Sequence, residues 1–329
     1  MGRENTMKAI VQDEYGSPDV LRVGEIDKPE VGDGEVLIRV HAAGVDPGVW
    51  HLMAGLPYFI RLMGYGLRAP KTRVPGNDFS GFVEAVGKEV TQFQSGDEVF
   101  GVSKGCFAEY TCAREDKIVP KPANLTFKQA AAVPTSALTA LQALRDKGEV
   151  AAGQRVLIIG ASGGVGSFAV QLAKVFGAEV TGVCSTTKVD LVRSLGADAV
   201  IDYTREDFAD GQRTYDVILD TAGNRSLAHL RRALTRKGTL VIVGGEEGGR
   251  WLAGADRQLR AALLSPFVSQ SLRPFMAVGR QEDLVFLKEL IESGEVTPVI
   301  DRTYPLDEAP EAIRYLAEGH ARGKIVLTV

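Results

Sequence analysis

Two hydrophobic rhythms divide the chain. Up to residue 111, apolar residues gather in short runs at 7–12, 36–43, 79–86, 98–101 and 108–111. Turn-forming stretches such as Val31-Gly32-Asp33-Gly34 and Gln94-Ser95-Gly96-Asp97 separate them, the pattern of successive strands. Strands at this spacing with many glycines predict a barrel or compact sandwich. The segment 47–70 interrupts them with aromatics and glycines. A stretch of that length in a strand-rich domain is a lid or pocket wall, or else a plain surface excursion.

Near residue 123 the rhythm changes. Asn124-Leu125-Thr126 precedes a helical stretch at 127–133, with Thr126 placed as its N-cap. A second helix is expected over 136–147, ending before Gly148. Strands at 155–159, 179–184, 199–202, 217–220 and 239–243 then alternate with helices at 166–176, 188–195 and 226–234. Near-continuous apolar strands between amphipathic helices predict a parallel sheet covered on both faces. The tail reads as a helix at 282–293, a segment 299–304, a helix through Ala317 and a strand at 324–329. That last strand has no place in the alternation, and one destination for it is the N-terminal β domain.

Composition narrows the classes. A length of 329 residues suits two domains, and 45% apolar with 24% charged residues is the balance of a globular protein. The formal net charge is −4, and no Lys/Arg cluster offers a basic face to nucleic acid. No apolar run approaches the ~20 residues that span a bilayer, and no signal-peptide pattern opens the chain. A cytoplasmic protein is expected, its polar first six residues a disordered leader or alternative start before Met7. Cys106, Cys112 and Cys184 form no disulfide framework or CxxC pair, and His41, His51, His229 and His320 are scattered. No metal site is expected.

The strongest chemical signal is the turn Gly160-Ala161-Ser162-Gly163-Gly164-Val165-Gly166, after a buried strand and at the start of a helix. There backbone can approach a pyrophosphate, and the free N–H groups and positive end of the helix face its charge. Side chains at Gly163 or Gly164 would obstruct it, and Gly166 allows close packing of helix on strand. The spacing is G-x-x-G-G-x-G, and the surrounding βα units set it apart from a merely structural glycine turn. An NAD site presents an acid at the end of the second strand. Here the chain reads Cys184-Ser185-Thr186-Thr187-Lys188, with no carboxylate before Asp190. A donor at Ser185 and a cation at Lys188 suit a 2′-phosphate. A helix cap and a solvated lysine would explain both residues as well, though not the missing acid. NADP(H) is the expected cofactor.

These residues, with Met7-Lys8-Ala9-Ile10, Gly87, Gly96-Asp97, Leu195-Gly196-Ala197-Asp198 and Gly323-Lys324-Ile325-Val326-Leu327, carry a resemblance over nearly the whole chain. It resembles the zinc-lacking quinone oxidoreductase (zeta-crystallin-like) branch of the medium-chain dehydrogenase/reductase superfamily. The resemblance implies an α/β fold in two parts. A GroES-like catalytic domain would take 1–125 and 282–329, and a Rossmann NADP(H) domain, doubly wound on a parallel sheet, would take 126–281. It implies that Lys188 and Tyr203 lie near the adenosine 2′-phosphate, with Thr139, Gly244 and Lys324 along the same groove. Zinc-using relatives carry cysteine at the position of Asp46 and Gly-His-Glu where this chain has Gly76-Asn77-Asp78, so zinc is not expected. The branch commonly has Asn at position 46, on the nicotinamide ribose. Asp46 departs from it, able to accept a hydroxyl but not to donate.

Without a metal, the expected hydride acceptors are quinones, whose reduced form is aromatic, and enones or enals given a donor for the developing enolate. Tyr58, in Gly55-Leu56-Pro57-Tyr58, is similar in position to a tyrosine acid of related enoyl reductases. The plainer alternative is an aromatic lining the pocket. His51 and Tyr65 are further candidates, and Phe59, Phe267 and Phe275 candidates for an apolar wall. Two other functions stay open: a zinc-free alcohol or aldehyde oxidoreductase, and a non-catalytic NADPH-binding sensor or adaptor. By analogy a homodimer is expected, with 272–278 either a pairing edge or an internal strand.

Overall fold

The computed structural model describes residues 5–244, 251 and 255–329. The chain divides into two compact units, Met1–Thr135 with Gly279–Gly294 and Pro298–Val329, and Ser136–Val278 with Glu295–Thr297. In the first lie strands Thr6–Val11 (β1), Arg22–Asp27 (β2), Glu35–Val45 (β3), Asp78–Val86 (β4), Glu98–Val102 (β5), Tyr110–Arg114 (β6) and Ile118–Pro120 (β7). The second holds Arg155–Ile159 (β8), Glu179–Cys184 (β9), Ala199–Asp202 (β10), Tyr215–Asp220 (β11), Leu234–Ile242 (β12) and Ser271–Pro274 (β13). Ile300–Pro305 (β14) and Lys324–Thr328 (β15) return to the first.

The first unit is built on a seven-stranded sheet ordered β14-β15-β3-β4-β5-β7, with β6 also pairing β3, while β1 and β2 form a separate hairpin-like pair. In the middle of β3, Val36, Ile38 and Val40 are buried while Arg39 and His41 are exposed, so one face makes the core. Ile10, Ile38, Phe79, Val99, Phe107 and Ile118 pack there with Ile325 and Leu327 of the last strand. β15 runs antiparallel to β3, Leu327 opposite Ala43. The tail thus does return to the N-terminal β domain, closing over the same core. In the segment 47–70 the chain forms the helix Pro47–Ala54 and a wide turn, Arg61–Tyr65. Thr126 caps the helix Phe127–Ala131 by accepting from the Gln129 N–H, and the Gln129 side chain completes a capping box.

The second unit is a six-stranded sheet in the order β10-β9-β8-β11-β12-β13, parallel throughout. From β8 the chain steps outward through β9 and β10, then crosses back to start β11 on the other side. β8 and β11 therefore flank the switch point, and ligands of such sheets lie at the carboxyl ends of the strands there. Leu157, Ile159, Ile218, Leu240 and Leu272 share one core. The helix Gly164–Val175 buries Phe168, Val170 and Leu172. β13 is an outer strand. Among the described residues no helix is long and apolar enough to cross a membrane.

Candidate functional site

The glycine turn leaves β8 at its carboxyl end. Gly160 has φ +82°, and a β-carbon on it would sit 2.5 Å from Thr221 Oγ1. Its N–H and that of Ala161 donate to Val183 O at 3.2 and 3.1 Å, and Gly163 N closes the turn on Gly160 O at 3.0 Å. Ser162 is buried, and Val165 is half-buried in the first turn of the helix. Gly163 is the N-cap of Gly164–Val175 and no side chain caps that end. The first N–H groups are left for a ligand, as an anion site requires. A β-carbon on Gly166 would fall 2.0 Å from Gly160 O, so glycine is dictated there by packing. One on Gly163 would meet only that same oxygen at 3.4 Å. The protein itself has room at Gly163, which fits a turn kept open for a close-lying pyrophosphate.

The adenosine end is built from two neighbouring strand ends. Ser185 follows β9 and opens the short turn Thr186–Lys188 without making a cap bond. Asp202, at the end of β10, stands opposite Cys184, and the next residue, Tyr203, donates its N–H to Cys184 O at 3.1 Å. The Tyr203 ring is half exposed. Asp202 is a carboxylate the sequence does not reveal at this place, because strand pairing rather than chain proximity brings it there. Thr186 Oγ1, Thr204 N–H and Thr204 Oγ1 all donate to it. The Thr186 hydrogen bond foremost, then those from Thr204, hold its carboxyl below the usual range despite opposing desolvation. Its acceptors are thus occupied within the protein. Asp190 is fully exposed and pairs with Arg193 at 3.6 Å. Gly244 follows β12, donating to Asp220 O at 3.1 Å, with Thr221 O 2.3 Å from the place of a β-carbon. Thr139 is buried in the helix Pro134–Gln142.

The first unit holds a separate buried cluster. Asp78 opens β4 and accepts from the N–H and Oγ1 of Thr135. Lys324 opens β15, and its ammonium lies 3.4 Å from Asp78 Oδ2, with the lysine side chain 2% exposed and the aspartate 0%. Burial pushes the Asp78 carboxyl up to about 6; Lys324 pulls the other way, the charge of Asp46 pushes further up and Thr135 lowers it. Asp46 caps the helix Pro47–Ala54, its Oδ1 accepting from Val49 N at 3.3 Å. Its Oδ2 is buried with no hydrogen-bond partner among the described residues, an open acceptor of the kind a ligand hydroxyl would satisfy. Asp46 and Lys324 thus belong to this unit, whereas the glycine turn, Ser185, Lys188, Tyr203 and Gly244 belong to the other.

Tyr58 lies beside Arg61, whose guanidinium is 4.7 Å from the Tyr58 ring and 4.3 Å from that of Tyr15. Arg61 Nε donates to Gly55 O at 2.8 Å, fixing this stack to the end of the helix. His51 Nδ1 is 3.0 Å from Leu56 O, and Tyr65 is exposed. Phe275 is buried and Phe59 half-buried, while Phe267 stands 85% exposed. Among the described residues no three His, Cys, Asp or Glu side chains are grouped so as to hold a metal ion.

Residues 32–123 match the family model described as alcohol dehydrogenase GroES-like domain, and residues 195–327 that described as zinc-binding dehydrogenase. The chain is 36% identical to the NADPH-dependent alkenal/one oxidoreductase, chloroplastic, of Arabidopsis thaliana, over 98% of its own length and 79% of the relative's. It is 35% identical to the 2-methylene-furan-3-one reductase of Solanum lycopersicum, with the same two coverages, 98% and 79%. Among solved structures, the quinone oxidoreductase from Coxiella burnetii superposes with a TM-score of 0.83 at 32% identity, covering 98% of this chain and 99% of that one.

Proposed function

Because the chain belongs to the quinone oxidoreductase and alkenal/one reductase branch of the medium-chain dehydrogenase/reductase superfamily, we propose that it reduces a quinone or an α,β-unsaturated carbonyl with NADPH and without a catalytic metal ion. The observation that carries this reading is the uncapped helix behind Gly163, joined to an adenosine end where the near carboxylate, Asp202, is already saturated by threonines. Asp202 keeps its charge, offset in part by Arg205 at 3.5 Å. With its acceptors taken it is not open to a ribose 2′-OH as the acid of an NAD site is, which leaves Ser185, Lys188 and Tyr203 to hold a 2′-phosphate.

The reduced nicotinamide supplies the hydride when bound. The N–H groups at the start of Gly164–Val175 bind the pyrophosphate, with Ser162 and Val165 shaping the turn around it. Thr139, Gly244 and Lys324 are assigned to the same cofactor, and Asp46 to the ribose nearest the nicotinamide, for which its open Oδ2 is an acceptor. The proton that completes enone reduction is assigned to the Tyr58 hydroxyl, on a ring held against Arg61. A quinone needs less help, since its reduced form is aromatic and spreads the added charge.

The same reading has the protein act in the cytoplasm as a homodimer, with neither nucleic acid nor membrane as partner. The dimer is argued from the outer strand Ser271–Pro274 and the exposed Met276 and Val278 beyond it; light scattering that gives the monomer mass would remove it. The activity is tested by NADPH consumption of metal-stripped protein with an ortho-quinone, an enone and an aldehyde, with NADH in parallel. NADPH-selective turnover of quinone or enone is expected. Turnover restored only by added zinc, or tight NADPH binding with no turnover, would overturn the reading.

A further inference from the structure

The loop after β11 delivers a cation to the adenosine end that the glycine-turn logic does not anticipate. Asp220, the last residue of β11, is fully buried. Its Oδ1 accepts from Gly223 N at 3.1 Å and its Oδ2 pairs with Arg257. Arg257 also donates to Arg225 O at 3.0 Å. One buried ion pair therefore pins the loop both at its bend and at residue 225. The Arg225 side chain takes no part in this anchoring. It is half-buried, makes no ion pair among the described residues, and lies over the Tyr203 ring with its guanidinium 6.0 Å from the centroid. Tyr203 is itself tied by its N–H to Cys184 O, directly before Ser185.

The ends of three parallel strands thus bring together an arginine, an exposed aromatic ring and a hydroxyl turn ending in Lys188. The Asp202 carboxylate at the end of β10 has its oxygens engaged by Thr186 and Thr204 and pairs with Arg205 at 3.5 Å. We propose that Arg225 is a specificity-determining residue for the phosphorylated adenosine, binding the 2′-phosphate alongside Lys188 while Tyr203 supports its guanidinium. Arginine suits the task because its planar fork donates two parallel hydrogen bonds to a phosphate and also stacks on an aromatic face. Fixing its backbone through Asp220 and Arg257 reduces the freedom lost when the phosphate arrives.

The inference rests on NADPH being the cofactor, and the test separates the two. Dissociation constants of the full chain for NADPH, NADH, 2′,5′-ADP and 5′-ADP are measured by calorimetry at two salt concentrations, for the parent, Arg225→Ala and Arg225→Lys. Removing a charge-assisted contact is expected to weaken NADPH and 2′,5′-ADP about ten- to a hundredfold. NADH and 5′-ADP should hold within about twofold, the salt dependence should shrink, and lysine should restore part of the loss. Equal loss of NADPH and NADH would make Arg225 a structural residue and overturn the proposal. So would an unchanged ratio between them. A parent protein that binds NADH as tightly as NADPH would instead fail the cofactor reading itself, and the inference with it.

Discussion

The carbonyl oxygen of Gly160 lies 2.0 Å from where a β-carbon on Gly166 would stand, yet 3.4 Å from that of Gly163. Two glycines of one turn therefore answer to different demands. Gly166→Ala drives a methyl into backbone that cannot rotate away, so the helix must move off its strand. Overpacking of this kind costs on the order of 1–3 kcal/mol, and Gly166→Ala should melt several degrees below the parent. Gly163→Ala makes an ordinary contact at a φ of −84° that alanine adopts freely. It should melt with the parent but lose at least about tenfold in NADPH affinity, its methyl standing where the pyrophosphate must approach. Thermal melts without nucleotide, beside an NADPH titration, check both halves. Early melting of Gly163→Ala would mean that the protein itself demands that glycine.

Asp78 supplies a pH signature. Its carboxyl titrates at about 6 in the folded chain against 3.8 for a free side chain, chiefly because it is buried. The native state then holds this proton more tightly than the unfolded state does. The resulting stability is fully present below about pH 4 and is lost as pH rises through 6. Asp78→Asn cannot titrate. The melting temperature of the parent should fall relative to that of the variant between about pH 4 and 6, and run parallel to it above. Melts at closely spaced pH values read this difference directly, with the loss of the Lys324 partner appearing only as a constant offset. Parallel curves across the whole range would show that Asp78 is not perturbed.

The Asp78–Lys324 pair has no solvent to fall back on, with side chains 0% and 2% exposed. Lys324→Met leaves the carboxylate buried without its cation. Because Asp78 already titrates at about 6 it can take up a proton instead, so at about pH 8 the lost pairing costs no more than about 3 kcal/mol. Adding Asp78→Asn to it removes the orphaned charge, so the double variant should be more stable than Lys324→Met alone. Urea unfolding of the two single variants and the double one gives the coupling between the residues. Additive losses would mean that the 3.4 Å separation carries no interaction.

How much of this could be read beforehand depended on whether neighbours in space were neighbours in the chain. β8 and β9 begin and end where the expected strands do, since strands buried on both faces announce themselves as near-continuous apolar stretches. Thr126 and Gln129 were legible because a capping box is complete within four residues. β2 was not. Its residues are half-buried or exposed throughout, so no alternation of apolar side chains marks it. β7 has three residues, too few to show a period. At the adenosine end Ser185 and Lys188 lay on the expected strand end, but Asp202 and Arg225 arrive from β10 and β11, and only the strand order sets them beside it. Thr135 likewise reaches Asp78 across 57 positions of sequence.

Tyr58 offers the sharpest division between chemistry and packing. Its ring is held 4.7 Å from the Arg61 guanidinium, and Arg61 is in turn bonded to Gly55 O. Phenylalanine keeps that ring and its stacking while deleting only the hydroxyl, so Tyr58→Phe should fold and bind NADPH as the parent does. If the hydroxyl gives a proton to the developing enolate, kcat for an enone should fall about a hundredfold or more, the usual loss of a general acid. A quinone spreads the added charge over an aromatic ring and takes its protons from water, so quinone turnover should change by no more than about threefold. Steady-state rates on both substrates, with NADPH affinity measured separately, make the comparison. A fall confined to the enone supports the assignment. Equal losses on both substrates, or none on either, would return Tyr58 to the packing of its segment and leave the enone proton to water.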